Sequence, residues 1–208
     1  VLENQVTING INYNLQDIEK DCWLQLLNGS VKSRIPFHTP TVATFGNEGI
    51  SIRTVVLRKT NVAEKQLIFH TDTRSQKWQE IKNNATVAIH FYDAATRVQI
   101  RIDGTATLHH TDAIADEAWN KSNLSCKRTY MTNLAPSSTI EMPASGLTEY
   151  FETHDPTAEE AAVARPFFGL VSIQALALDW LWLNNKGHRR AKFFYEKGAL
   201  KHSSWIAP

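Results

Sequence analysis

Alternation of apolar and polar positions dominates residues 41 to 110 and returns after residue 167. Ile52, Thr54 and Val56 fall on one side of an extended run, and Arg53, Val55 and Leu57 on the other. That is the period of a half-buried strand. Ile50 to Arg58 therefore reads as one strand, preceded by a strand at Thr41 to Phe45 and the turn Gly46-Asn47-Glu48-Gly49. Gln66 to Thr71, Thr86 to Tyr92 and Arg97 to Leu108 add three more, the last two as a pair. Leu176 to Leu183 and Arg189 to Tyr195 flank Asn184-Asn185-Lys186-Gly187 as a hairpin, and Glu196-Lys197-Gly198 turns into a last strand at Trp205.

Helical spacing is rarer. Leu15 to Leu27 predicts a helix closed by Asn28-Gly29, after a short strand from Val6 to Tyr13 with Asn9-Gly10 as its turn signal. Thr73-Arg74-Ser75-Gln76 fits a capping box opening a helix whose buried stripe is Trp78, Ile81 and Ala85. Asp112 to Lys121 predicts another helix. Thr157-Ala158-Glu159-Glu160 is a second capping box, for a short helix ending before Pro166. Ser122 to Glu149, with Pro136, Pro143 and Gly146, is long and irregular, as functional or subunit-contacting loops are. Many short strands and few helices predict a mainly β fold with α additions, built on a barrel or sandwich.

Composition narrows the function classes. A formal charge of +1 gives no support to a nucleic-acid-reading surface. Cys22 and Cys126 are the only cysteines, which fits unpaired thiols in a reducing cytoplasm. No apolar run approaches the roughly 18 residues of a membrane span, and no signal peptide is legible. The first residue is Val1 rather than Met, which leaves the native start open.

Three constellations could carry chemistry. Arg53 alternates with apolar residues and needs a partner if buried, which a structural ion pair would satisfy equally well. In His70-Thr71-Asp72-Thr73-Arg74-Ser75-Gln76-Lys77 a strand runs into a helix start, where free N–H groups, hydroxyls and cations suit a phosphate; simple capping explains the same residues. Asp179-Trp180-Leu181-Trp182 and His188-Arg189-Arg190-Ala191-Lys192-Phe193-Phe194-Tyr195 offer an aromatic slab with cations for a planar heterocycle, or core packing. No metal site is expected: His109 and His110 are adjacent on a strand and face apart, and His154-Asp155 lacks a third ligand nearby.

Taken in order, these segments resemble the pyridoxamine 5′-phosphate oxidase family. The resemblance runs from about Thr41 to Pro208. It rests on Ser51-Ile52-Arg53-Thr54-Val55-Val56-Leu57-Arg58, Phe69-His70-Thr71-Asp72-x-x-Ser75-x-Lys77, Gln99-x-Arg101-x-Asp103-Gly104, and the ending from Trp182 to Trp205-Ile206-Ala207-Pro208. It implies a six-stranded antiparallel split β-barrel that binds FMN at a homodimer interface. On that reading residues 1–208 form one domain: 1–40 an N-terminal extension, 41–110 the barrel core, 111–166 helices and the long loop, and 167–208 the C-terminal strands. The resemblance implies that Arg53 and Lys77 hold the FMN phosphate, with Thr71 and Ser75 donating and His70 and Gln76 adjoining. It implies that Thr54, Val55, Val56, Leu57 and Arg58 run beside the ring, that Gln99 meets its polar edge, and that Trp182 and Lys192 come from the partner subunit.

The departures touch the flavin contacts and, further, the substrate side. The family's phosphate-loop Arg-Lys is Gln76-Lys77 here, with Arg74 a candidate replacement. Its flavin-contacting Lys is Arg58, its C-terminal Arg is Lys192, and its Gln-Ser pair is Pro136-Ser137. The Tyr, Arg and Ser that hold the vitamin phosphate match Trp119, Asn123 and Lys127, and the Arg-x-His pair reads His188-Arg189-Arg190. The expectation is an FMN-dependent oxidoreductase exchanging a hydride with an unassigned small molecule. Arg58, His188 and Arg190 are candidates to orient an anionic substrate, and no acid or base residue is assigned. A genuine pyridoxamine or pyridoxine 5′-phosphate oxidase, and a flavin-binding sensor or carrier without turnover, are the alternatives.

Overall fold

The computed structural model describes residues 4–8 and 10–208. Its strands are β1 (Val6–Ile8), β2 (Ile11–Tyr13), β3 (Thr41–Gly46), β4 (Gly49–Thr54), β5 (Leu57–Asn61), β6 (Gln66–Asp72), β7 (Thr86–Asp93), β8 (Val98–His109), β9 (Phe168–Trp182), β10 (Arg189–Glu196) and β11 (Ala199–Ile206). The helices are α1 (Leu15–Val31), α2 (Gln76–Asn83), α3 (Ala113–Lys121), α4 (Leu124–Arg128), α5 (Glu149–Thr153) and α6 (Ala158–Ala162). β1 and β2 pair as a hairpin, and the Asn9 half of its predicted turn signal lies outside the described residues. No helix among the described residues is long and apolar enough to cross a membrane.

The fold is mainly β with helices packed on it, as the alternation predicts. The expected six-stranded barrel is a sheet of nine strands, all paired antiparallel, whose hydrogen-bonded ladder does not close. β9 is its spine. One edge pairs with β8, and the other is shared between β6 over Phe168 to Gln174 and β10 over Ala177 to Trp182. The inner faces of β3 and β5 to β10 bury Val42, Leu57, Leu67, Phe69, Ile89, Ile100, Ile173, Leu178 and Phe193, closed at one end by Trp23 and Leu26 of α1. Burying side chains of this size contributes roughly 1.5 to 3 kcal/mol each. A smaller cluster of Trp119, Ala161, Ala164 and Phe168 ties α3 and α6 to the start of β9.

Three local expectations change. The predicted strand Ile50 to Arg58 breaks at Val55-Val56: the Val55 N–H still donates to Pro40 O at 2.9 Å, but Pro40 has no N–H to return the bond, and the ladder with β3 ends there. The chain thereby leaves β3 and joins β6, with a bulge between Leu57 and Lys59. Helix α1 does not stop at Asn28-Gly29: Gly29 lies within it, and a Cβ there would stand 2.9 Å from the Phe37 backbone. Tertiary contact thus overrides a helix-ending residue. Helix α2 starts at Gln76 with Ser75 as N-cap, so Thr73 caps nothing. Its buried stripe is Trp78, Glu80 and Ile81, and Ala85 lies beyond its end.

Candidate functional site

The end of β6, the start of α2 and the inner face of β4 meet at one point. Gly169 of β9 pairs with Thr71, and its missing side chain makes room for Trp78, whose Cζ3 would lie 2.5 Å from a Cβ there. Seating Trp78 on bare backbone brings the first turn of α2 against Thr71. The Ser75 hydroxyl turns back to donate to Asp72 O at 2.7 Å and lies 3.2 Å from Thr71 Oγ1. Lys77 Nζ donates to the same Thr71 oxygen at 3.2 Å. Thr71 and Ser75 are buried, and Lys77 is half-buried.

Arg53 reaches this cluster from β4. Its Nη2 donates to Glu80 Oε2 at 2.7 Å, and its Nη1 donates to Ser51 O at 3.2 Å and to Thr44 Oγ1. A guanidinium has five N–H donors. These bonds use three of them, so Nε–H and one Nη2 proton have no partner among the described residues. Burial pushes the Lys77 pKa down, and the nearby Arg53 charge pushes it further. Two cations, two hydroxyls and a helix start facing one point suit a phosphate, which takes a fork and a point charge together.

Other predicted members lie outside the cluster. Gln76 is exposed on the rim of a groove shared with Gly46, Ser51 and Glu80. Arg74 does not replace the missing cation: Asp72 takes its Nε at 3.0 Å and Nη2 at 2.7 Å, and Thr132 O takes its Nη1 at 2.9 Å. Thr54 is exposed, Val56 is half-buried, and Val55 and Leu57 are buried. Pro136 and Ser137 are exposed in the long loop.

The bulge in β5 turns Arg58 into a second cleft of about 410 Å³, lined by His70, Leu170, Ser122, Asn123 and Cys126. Arg58 makes one weak contact there, to Cys126 Sγ at 3.9 Å, and has no carboxylate partner among the described residues. Burial, aided by Arg58, lowers the His70 pKa to about 4. Its imidazole is therefore neutral near pH 7, packed edge-on against Phe168. Of the positions aligned with vitamin-phosphate ligands, Trp119 is buried in packing and Lys127 Nζ lies 5.0 Å over its ring. Asn123 Oδ1 caps α4 by accepting from Cys126 N at 2.8 Å.

The remaining candidates lie around the far end of the sheet. Lys192 lines a cavity of about 570 Å³ on the outer face with Thr41, Ile52, His90, Arg101 and Arg190. Gln99 Oε1 lies 3.2 Å from His90 Nε2. Trp180 belongs to the core and Trp182 packs partly against it, so the aromatic slab is largely packing. Arg190 is paired: its Nε and Nη2 donate to Asp179 at 2.9 and 2.7 Å, and Arg101 donates to the same carboxylate at 2.6 Å. His188 Nδ1 accepts the Asn184 N–H at 3.1 Å and holds the turn. Neither shares a cleft with Arg58 in one chain. Sequence reading did not single out Glu80 or Asp179 as ion-pair partners; the available signal for Glu80 is an acid between Trp78 and Ile81 on a buried stripe.

Residues 20–110 match the family described as the pyridoxamine 5′-phosphate oxidase FMN-binding domain. A pyridoxine/pyridoxamine 5′-phosphate oxidase of Chromobacterium violaceum is 33% identical over 81 residues, a match that spans 38% of either chain. A pyridoxamine 5′-phosphate oxidase-related, FMN-binding protein from Nostoc punctiforme has the same fold, with a TM-score of 0.72 at 22% identity over 91% of this chain and 97% of that one. PhzG from Burkholderia lata, solved with tetrahydrophenazine-1-carboxylic acid, gives 0.66 at 17% identity over 91% and 90%. These two likenesses establish the fold. The segment that matches, residues 20–110, contains Arg53, Thr71, Ser75 and Lys77; it is similar to the FMN-binding domain of the pyridoxamine 5′-phosphate oxidases, which makes FMN its cofactor.

Proposed function

We propose that this chain is an FMN-dependent oxidoreductase that works as a homodimer. Arg53, Lys77, Thr71 and Ser75 hold the flavin phosphate. The observation that carries the reading is their convergence at the start of α2, with two Arg53 protons unspent. The backbone from Thr54 to Leu57 runs beside the ring, with Arg58 and His70 beyond it. When bound, FMN supplies two-electron hydride exchange with a small molecule.

Gln99 meets the polar edge of the ring, and the partner subunit supplies Trp182 and Lys192. This assignment follows the family resemblance, since within one chain Lys192 lines an outer-face cavity with Thr41 and Ile52. The apolar outer face of β4, with Ile50 and Ile52 70% and 69% exposed, supports an interface there.

Substrate enters the Arg58 cleft. The unpaired guanidinium attracts an anionic group, and neutral His70 offers a hydrogen bond without adding charge. The vitamin-pathway reaction is disfavoured because Trp119, Lys127 and Arg190 are committed to other contacts. Purified protein is expected to carry or take up FMN with a flavin absorbance band. It is expected to show little peroxide formation with pyridoxamine or pyridoxine 5′-phosphate and oxygen. A protein that takes up no FMN overturns the reading, and rapid turnover of either vitamer overturns its substrate half.

A further inference from the structure

Glu80 belongs to no role assigned so far, yet its carboxylate accepts three hydrogen bonds beside the phosphate cluster. It sits three residues after Lys77 on α2 and is only 5% exposed. A buried carboxylate is costly unless paired and hydrogen-bonded. Oε2 accepts from Arg53 Nη2 at 2.7 Å and from Thr44 Oγ1 at 2.5 Å, and Oε1 accepts from Ser51 Oγ at 2.9 Å. Burial would raise its pKa, but these bonds and the Arg53 charge outweigh that and hold it below the usual carboxylate range. Gly46 leaves the space: a Cβ there would stand 2.9 Å from Oε1. Three elements, β3, β4 and α2, thus seat one carboxylate against one guanidinium.

We propose that Glu80 is the positioning residue for phosphate recognition, acting through Arg53. The inference rests on the phosphate site proposed above. Arg53 is a long side chain on the strand that leads into the Val55-Val56 turn. Glu80, Thr44 and Ser51 hold its end so that the unspent Nε–H and Nη2 proton stay fixed beside Lys77, Thr71 and Ser75. The same carboxylate offsets one of the two local cations, so it gives up attraction for geometry. Shape and charge are therefore separable. Gln at position 80 can still accept from Arg53 and Thr44 and donate to the Ser51 hydroxyl, whereas Ala holds nothing.

The test compares FMN with riboflavin, which lacks the phosphate. Binding of each is titrated by flavin fluorescence quenching on the full chain freed of flavin, for wild type, E80A, E80Q and E80D. Wild type is expected to prefer FMN. E80A is expected to lose at least about tenfold of that preference while riboflavin binding stays within about twofold, and E80Q is expected to keep the preference within about threefold. E80D retracts the carboxylate by one methylene while keeping its charge, and is expected to lose preference as E80A does; it decides the matter if E80A does not fold. A purely structural role would weaken riboflavin as much as FMN. The inference is overturned by that result, by E80A or E80D keeping the preference, or by E80Q losing as much as E80A. A wild type with no preference for FMN sinks the phosphate site itself. A wild-type preference that E80A retains sinks only the role of Glu80.

Discussion

The molecule holds two arginine–carboxylate pairs, one on the inner side of β4 and one on the outer face of β9 and β10. Arg53 meets Glu80 and Arg190 meets Asp179, each with a 2.7 Å bond to a carboxylate that is 5% exposed. The difference lies in what shares each carboxylate and what surrounds it. Asp179 takes Nε and Nη2 of Arg190 and a further bond from Arg101, and these bonds outweigh burial in holding its pKa down. Glu80 takes one bond from Arg53 and fills its other positions with the Thr44 and Ser51 hydroxyls, which leaves Arg53 two protons to offer. Arg190 keeps three of its five protons and Arg53 two, so unspent donors alone do not separate the pairs. The first arrangement bridges strands and is the closed end; the second, beside the Lys77, Thr71 and Ser75 cluster, is the open end on the reading proposed above. An ion pair therefore does not by itself mark structure or function; the donors gathered around it do.

The strongest way to break this comparison is to remove the open end. Arg53→Ala combined with Lys77→Ala is expected to weaken FMN binding at least about 100-fold, with riboflavin far less affected. Equal loss for both ligands would mean that the phosphate lies elsewhere. The closed end should behave in the opposite way. Asp179→Ala leaves two guanidinium groups without their carboxylate and is expected to cost about 1 to 3 kcal/mol in urea unfolding, with the FMN-to-riboflavin preference intact. A change in that preference without a loss of stability would reverse the two assignments.

A smaller effect sharpens the open end. Burial and Arg53 hold the Lys77 pKa below its ordinary value, and a bound phosphate would raise it again. Binding then takes up a proton wherever the pH lies between the two values. FMN affinity should fall as pH rises through the depressed pKa, whereas below it Lys77 is charged in both states and contributes no slope. Titration across alkaline pH should show this dependence in wild type. Lys77→Met should remove the Lys77 part of it, leaving a weaker site with a shallower profile.

Much of the cluster is legible in the sequence. The alternation in residues 50–58 put Arg53 on an inward face, and the strand-to-helix junction at residues 70–77 marked Thr71, Ser75 and Lys77. The capture of Arg74 by Asp72 is a local hydrogen-bonding choice that spacing does not reveal. The pairing of Arg190 is hidden for the opposite reason: its partner sits on another strand, 11 residues away, and only register brings them together. The capping box at Thr73 failed because the Ser75 hydroxyl bonds backwards to Asp72 O rather than leaving the cap to Thr73.

The sequence by itself determined the mainly β character, most of the strands and the residue types of a phosphate site, because side-chain period and turn chemistry are local properties. Tertiary structure decided where the strand at residues 50–58 breaks, that Gly29 lies inside a helix, and which carboxylate each arginine meets. Each of those outcomes depends on a partner distant in the chain: Pro40 for Val55, Phe37 for Gly29, Glu80 for Arg53 and Asp179 for Arg190. Local pattern names the donors, but only packing fixes which acceptor each one meets.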